Sequence, residues 1–196
     1  MKEVHLLVFD GLADWEPALA LCGLNDLAAF GRESYRTVTI GFTSEPVTTM
    51  AGLRVMPDRV LDDVQPDGLA LFLIPGGEMW NAGERPEVTA LLKCLDKAGT
   101  PIAGICAATT ALAHAGLLEQ RRHTSNSLTF LKERAPAYGG EASYVDAPAV
   151  ADGGVVTAAG TAPLQFAREI LRLLDAFDKA MLEEWYQMFL NPDVKD

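Results

Sequence analysis

Cysteine is scarce in this chain of 196 residues: there are three, at positions 22, 94 and 106. An odd count leaves one thiol unpaired in any intramolecular arrangement, and no C-x-x-C spacing occurs, so neither a disulfide framework nor a cysteine-based metal or redox motif organises the fold. The thiols are expected to be reduced. Basic residues are also few, 16 Lys and Arg against 27 Asp and Glu for a formal net charge of -11, which excludes nucleic acid and anionic membrane surfaces as electrostatic partners. Long hydrophobic runs are missing. The first apolar stretch, Val4 to Phe9, is too short for a signal-peptide core with its cleavage site and far too short to span a bilayer, so a cytoplasmic protein is expected. The three histidines share no short spacing, and Gly76-Gly77 lacks the G-x-G-x-x-G pattern, so no metal, phosphate loop or dinucleotide cofactor is implied. Internal repeats, low-complexity segments and linkers are absent, and at roughly 150 residues per domain the length predicts a single domain over 1–196.

What is present is the material of a core. With 49% hydrophobic and 22% charged residues the composition is that of a compact protein rather than a disordered one. Val4 to Phe9 is nearly continuous apolar sequence ended by Asp10-Gly11, the pattern of a strand buried on both faces of a parallel sheet. Trp15 to Phe30 has helical spacing, with Asp14 as N-cap, Pro17 in the first turn and Gly31 past the end. Arg36 to Phe42 reads as a strand, and 47–57 as a small hairpin insertion around Ala51-Gly52. Leu69 to Ile74 is the most apolar stretch and stops at Pro75-Gly76-Gly77, so a central strand ends in a loop that exposes backbone. A helix over Glu87–Ala98, a buried strand over Pro101–Ile105 and a helix over Ala107–Ala115 follow, the last closed by Gly116 with Leu117 beyond it in a Schellman ending. Leu128–Arg134, Gly154–Ala158, Leu164–Leu174 and a last helix over 179–190 continue the alternation. The expectation is an α/β three-layer sandwich, a mostly parallel sheet with helices on both faces and right-handed crossovers.

Gly104-Ile105-Cys106-Ala107-Ala108 lies where a buried strand turns sharply into a helix, the form of a nucleophile elbow with Cys in place of Ser. Small residues at 104, 107 and 108 let strand and helix approach, and the helix N-terminus would favour the thiolate. The other reading of Cys106 is a small buried hydrophobe. Gly76 and Gly77, at the end of the neighbouring strand, would bring backbone N–H groups beside the elbow, where the amides of Gly77 and Ala107 form an oxyanion hole; alternatively they make an ordinary turn. Glu16, after the first strand, belongs to the same sheet edge, and either faces the sulfur or simply complements its helix dipole.

These stretches resemble the ThiJ/PfpI superfamily, whose relatives include the Parkinson-linked deglycase-like protein and class I glutamine amidotransferase domains. The resemblance covers most of the chain. It rests on Asp14-Trp15-Glu16, Ile74-Pro75-Gly76-Gly77, Ala103-Gly104-Ile105-Cys106-Ala107, His123-Thr124-Ser125-Asn126 and Asp152 to Gly160, in that order. It implies a flavodoxin-like, class I glutamine amidotransferase-like fold, with Cys106 as reactive thiol, Glu16 as a protonated carboxyl bonded to it, and Gly77 and Ala107 as oxyanion donors. It also implies a homodimer. Family members often carry a His directly after the nucleophile or about one strand and loop later; here those positions are Ala107 and Asn126, and neither takes a proton at neutral pH. His123 is the nearest substitute, its ring facing the pocket or the opposite side.

The remaining candidates are Trp80, which either walls the pocket or covers the core, and Cys22 and Cys94, expected to be packed; His5 and His114 are expected to be structural. In the last helix Leu182, Trp185, Tyr186 and Phe189 form an apolar stripe that faces the core or a second subunit, with Glu183, Glu184 and Asp193 solvated. Two functions follow. In the first, Cys106 attacks a small carbonyl or amide substrate and Glu16 or His123 shuttles protons, as in an amidase, glyoxalase or deglycase. In the second, an oxidant converts Cys106 to sulfinate in a non-catalytic stress protein. No cofactor is needed for either.

Overall fold

The computed structural model describes residues 2–33 and 35–191. Seven strands form the central sheet: β1 (Glu3–Leu7), β2 (Arg36–Gly41), β5 (Arg59–Val60), β6 (Leu69–Ile74), β7 (Ile102–Ile105), β8 (Ala149–Asp152) and β9 (Val155–Ala158). Their spatial order is β5-β2-β1-β6-β7-β9-β8. All neighbours run parallel except β8, which pairs antiparallel with β9 at the edge. Two-residue strands β3 (Val47–Thr48) and β4 (Arg54–Val55) make a separate hairpin. The helices are α1 (Trp15–Asn25), α2 (Pro86–Lys97), α3 (Thr109–His114), α4 (Leu128–Arg134), α5 (Pro163–Leu173) and α6 (Lys179–Leu190). They cover both faces of the sheet: α1, α5 and α6 pack as one group, α2, α3 and α4 as the other, and β7 touches both. This is the flavodoxin-like, class I glutamine amidotransferase-like architecture.

Burial explains the strand compositions. Leu71 to Ile74 and Ile102 to Ile105 sit beneath helices on both faces, apart from Gly104 all with no exposed surface, as a central parallel strand requires. The chain passes from β1 to β2 on one side and returns through β6 on the other, so the strand order reverses at β1, where open α/β sheets bind ligands beyond their carboxyl ends.

Several local expectations are met and others are corrected. Gly116, at φ 73°, closes α3 with Gly116 N–H on the Ala113 carbonyl and Leu117 N–H on that of Leu112, the Schellman pattern. The first helix, by contrast, stops at Asn25; Leu27–Phe30 tightens into a 3-10 turn ended by Gly31 at φ 69°. Asp14 is not an N-cap, because its own backbone is already helical; its carboxylate instead accepts the Ala51 N–H at 2.8 Å. With Asp10 Oδ1 accepting Thr48 N–H at 2.7 Å and Met50 N–H on the Leu12 carbonyl, this pins the hairpin to the loop after β1.

Cys22 and Cys94 are exposed rather than packed. The buried faces of their helices are Glu16, Pro17, Ala20, Gly23 and Leu24 in α1 and Val88, Thr89, Leu92 and Leu95 in α2, largely the three-to-four residue spacing of one helical side, and each cysteine lies off that side. In α6, Leu182 is buried, the Trp185 ring packs between those of Phe177 and Phe189, and Arg168 lies over Tyr186 at 4.4 Å. Phe189 is 44% exposed, so the stripe turns partly inward and partly to solvent. Asp193 lies outside the described residues. Among the described residues, no helix is long and apolar enough to cross a membrane.

Candidate active site

Four adjacent strands deliver the site. The segments after β1, β6, β7 and β9 bring Glu16, Gly76, Cys106 and Gly160 together at the carboxyl edge of the sheet. Cys106 is the turn itself: Ile105 is extended at φ -122°, and Cys106 has φ 59°, one of two non-glycine residues with positive φ among those described. A side chain in this left-handed region costs about 1–2 kcal/mol, and such strain persists where surrounding contacts over-determine it. Here they do. Gly104 lies so close to α3 that a Cβ on it would meet Leu112 Cδ1 at 2.7 Å. The Cys106 carbonyl accepts the Thr109 hydroxyl at 2.6 Å, and that hydroxyl also meets Ser125 Oγ at 2.7 Å.

Glu16 is 1% exposed. Its Oε2 accepts the Gly76 N–H at 2.5 Å, and Gly76 in turn accepts Ala13 N–H at 3.0 Å. Oε1 faces the Cys106 thiol and finds no nitrogen or oxygen donor. Glycine is required at 76 and at 160, because a Cβ would stand 2.7 Å from Cys106 Cβ at the first and 2.6 Å from Cys106 Sγ at the second. Burial raises the Glu16 carboxyl to about 7, with the Gly76 N–H and the thiol pulling it back.

The sulfur receives two donors. Asn126 Nδ2 stands 3.4 Å from Sγ, and the orientation of this amide is fixed because its Oδ1 accepts Gly160 N–H at 2.9 Å. The Ala107 N–H is the second donor. Gly160 is tied from its other side as well, its carbonyl accepting Trp15 Nε1–H at 3.3 Å. Trp15 is half exposed and sits one residue before Glu16. The chain of contacts is Trp15, Gly160, Asn126, Cys106.

The expectation that the helix N-terminus depresses the Cys106 pKa is overturned. Burial pushes the thiol above its usual value and the Glu16 charge adds to this, against the opposing Asn126 and Ala107 donors. The helix after the elbow is only a 3-10 turn and six residues of α3, and its weak dipole does not outweigh desolvation. The two acids are coupled: a proton on Glu16 removes the nearest negative charge and leaves the thiolate to its two donors.

Two expected site residues lie elsewhere. The His123 ring is fully buried, with Nδ1 2.7 Å from the Arg121 carbonyl and Nε2 2.6 Å from the Tyr138 hydroxyl, between the rings of Tyr138 and Tyr144. A carbonyl only accepts, so Nδ1 carries the proton. Burial lowers the imidazole pKa and raises that of the Tyr138 hydroxyl to about 12, keeping the ring neutral and fully engaged away from the sulfur. Trp80 is 2% exposed, its Nε1–H on the Pro75 carbonyl at 2.9 Å and its ring edge-on to Phe9; it braces the Pro75-Gly76-Gly77 loop from within the core. Gly77 abuts Phe9 and the Gly11 carbonyl, where a Cβ would meet atoms at 2.6 and 2.9 Å, whereas Gly76 touches Cys106. Trp15 and Gly160 join the site through bonds that the sequence signals only by their adjacency to Glu16 and to the end of β9. Among the described residues, no group of three His, Cys, Asp or Glu is placed to hold a metal ion.

An elbow cysteine with a buried carboxyl at the carboxyl edge of this sheet defines the class, and the chain belongs to the DJ-1/PfpI family, whose model matches residues 2–173. It is 41% identical over 191 residues to a Bacillus subtilis protein named as an uncharacterized protease, covering 95% of this chain and 90% of that one. The crystal structure of a DJ-1 superfamily protein from Agrobacterium tumefaciens aligns with a TM-score of 0.86 at 40% identity, over 98% of this chain and 99% of that one. A thiJ/pfpI family protein from Bacillus anthracis aligns at 0.89 and 37%, over 98% and 92%. More distant relatives are named a deglycase in Thermococcus kodakarensis, 28% identical over 88% of this chain and 99% of that one, and a glutathione-independent glyoxalase in Caenorhabditis elegans, 29% identical over 76% and 78%.

Proposed function

We propose that the protein converts small reactive carbonyl compounds by covalent catalysis at Cys106, with Glu16 as the proton carrier. The observation that carries this reading is the pairing itself: among the described residues, the one titratable side chain against the thiol is a carboxyl raised to about 7, which suits it to give and take a proton near neutrality. No imidazole reaches the sulfur, so expulsion of a peptide amine lacks its usual general acid, and an aldehyde is the better substrate.

For a 2-oxoaldehyde the steps balance without a cofactor. The Glu16 carboxylate takes the Cys106 thiol proton, the sulfur forms a bond to the aldehyde carbon, the carbonyl π bond opens, and its oxygen, resting on the amides of Gly77 and Ala107, takes that proton from Glu16. Gly76 N–H is already committed to Glu16, which leaves Gly77 N–H as the donor of that loop. The Glu16 carboxylate then removes the hydrogen on the former aldehyde carbon as a proton and returns it to the neighbouring carbon, while the hydroxyl proton on the former aldehyde carbon passes to the neighbouring oxygen, giving the thioester of a 2-hydroxy acid. Water hydrolyses it, releasing a 2-hydroxy acid and the thiol. The test is acid formation from a 2-oxoaldehyde by wild type, Cys106→Ser and Glu16→Gln. Both variants should be inactive while unfolding cooperatively; full turnover by Cys106→Ser would overturn the reading. An amide is the second substrate class for the same thiol, and it would be cleaved far more slowly.

A second reading is favoured by the unpartnered Glu16 Oε1 facing Sγ: a protonated Glu16 donates from this position to an oxygen added to the sulfur. In that case limiting peroxide converts Cys106 to sulfinate and no carbonyl substrate is consumed. In either case a homodimer fits the exposed apolar residues Trp15, Met50, Leu53 and Met56 on α1 and the hairpin, and light scattering reads the mass directly.

A further inference from the structure

A cavity opens beyond the carboxyl ends of β1 and β2, lined by none of Cys106, Glu16, Asn126 and Gly160. It has a volume of about 340 Å³ and is lined by Val8, Phe9, Asp10, Phe42, Thr43, Val47, Met79 and Arg85. The size is within the range of small-molecule sites, and the place borders the crevice between β1 and β6, where the strand order reverses. Its walls come from the segments after β1, β2 and β6, with the base of the hairpin and the residue preceding α2. Five of the eight lining side chains are hydrocarbon, aromatic or thioether.

The cation in this wall is unspent. The Arg85 guanidinium makes no ion pair and no hydrogen bond among the described residues, the residue's one bond being Thr89 N–H on its backbone carbonyl, in a chain where acids outnumber bases 27 to 16. Arg59, Arg121 and Arg168 all have carboxylate partners. A guanidinium beside apolar walls is built for a planar anion, which it takes through two parallel N–H donors. The acid in the same wall, Asp10, turns Oδ1 to the Thr48 N–H, and its charge disfavours a ligand carrying a second negative group.

We propose that this cavity binds a small monocarboxylate with an apolar body, the carboxylate on Arg85 and the body among Phe9, Phe42, Val47 and Met79. The site is separate from the Cys106 chemistry and does not rest on it. The two share one wall: the Phe9 ring that lines the cavity lies against Gly77, whose Cβ would meet it at 2.6 Å, and edge-on to Trp80.

The experiment is titration calorimetry of phenylacetate and of phenylacetamide, its uncharged isostere, with the full chain as wild type, Arg85→Gln, Arg85→Lys and Cys106→Ser. Wild type and Cys106→Ser should bind the acid equally, and about fivefold to tenfold more tightly than the amide, the scale of a partly exposed charge-assisted contact. Arg85→Gln should bring the acid down to the level of the amide. Arg85→Lys should fall between, since it keeps the charge and loses the fork; it also serves if the Gln variant fails to fold. The proposal is overturned by equal binding of acid and amide, by an acid preference that survives Arg85→Gln, by loss of acid binding in Cys106→Ser, which would place the ligand at the thiol, or by no binding at millimolar concentration.

Discussion

Replacing Glu16 by Gln measures the electrostatics of the thiol site through folding stability alone, with no substrate needed. In the folded chain burial holds this carboxyl at about 7, against a usual 4.5. An acid whose folded pKa lies above its unfolded one favours the fold fully below the lower value, and the contribution is lost as pH rises toward the upper one. The window is therefore between 4.5 and 7. At 1.36 kcal/mol per pH unit the full loss is about 3 kcal/mol, from ionising a carboxyl that has 1% exposure and one backbone donor. Glutamine accepts the same Gly76 N–H and has no charge to lose. Urea unfolding of both proteins below and above the window should show the variant gaining about 3 kcal/mol on wild type with rising pH, at unchanged urea dependence. Other acids titrate too, Glu3 held down to about 2 by Arg59, His5 and Arg36 among them, but they are common to both proteins and cancel in the difference. Parallel pH profiles, with a difference changing by less than about 1 kcal/mol, would refute the burial argument for Glu16.

The three thiols should separate in a labelling experiment on the native protein: Cys22 and Cys94 react quickly with a disulfide reagent and Cys106 slowly at neutral pH, because burial raises its pKa. Mass mapping of the labelled peptides checks this, and fastest labelling at 106 would contradict it. Asn126→Ala should raise the Cys106 pKa further and slow its alkylation several-fold at fixed pH; Trp15→Phe, which keeps the ring and loses the N–H on Gly160, should slow it less. Gly160→Ala forces a Cβ to within 2.6 Å of Sγ and should cost about 1–3 kcal/mol of stability, read by urea unfolding, while blocking alkylation of Cys106.

How much was legible depended on whether the cause was local. The apolar runs at 69–74 and 101–105 mark buried parallel strands because burial on both faces leaves no room for polar residues, and Gly116 marks a helix end because its left-handed conformation is a local need. The elbow at Cys106 shows itself through the small residues around it. Trp80 and His123 were beyond reach for the opposite reason: each is placed by a distant partner, Phe9 for one and Tyr138 with Tyr144 for the other, and nothing in the neighbouring sequence records which side of the chain the ring takes. The thiol pKa runs against the sequence expectation because a dipole can be inferred from helix order, whereas the depth of burial emerges only when Gly76 and Gly160 close in from other strands. Cys22 and Cys94 sit among apolar neighbours in sequence, and the helical face that meets the sheet passes them by.

The left-handed backbone at Cys106 has an evolutionary reading. Glycine adopts φ near 59° without the penalty of about 1–2 kcal/mol that a side chain incurs, so a lineage under pressure only to fold would drift toward glycine at this position and become more stable by doing so. The sulfur is then a load that the fold carries at its own expense. Loss of use would erase it before it erased the sheet, and descendants without the thiol should prove the sturdier proteins.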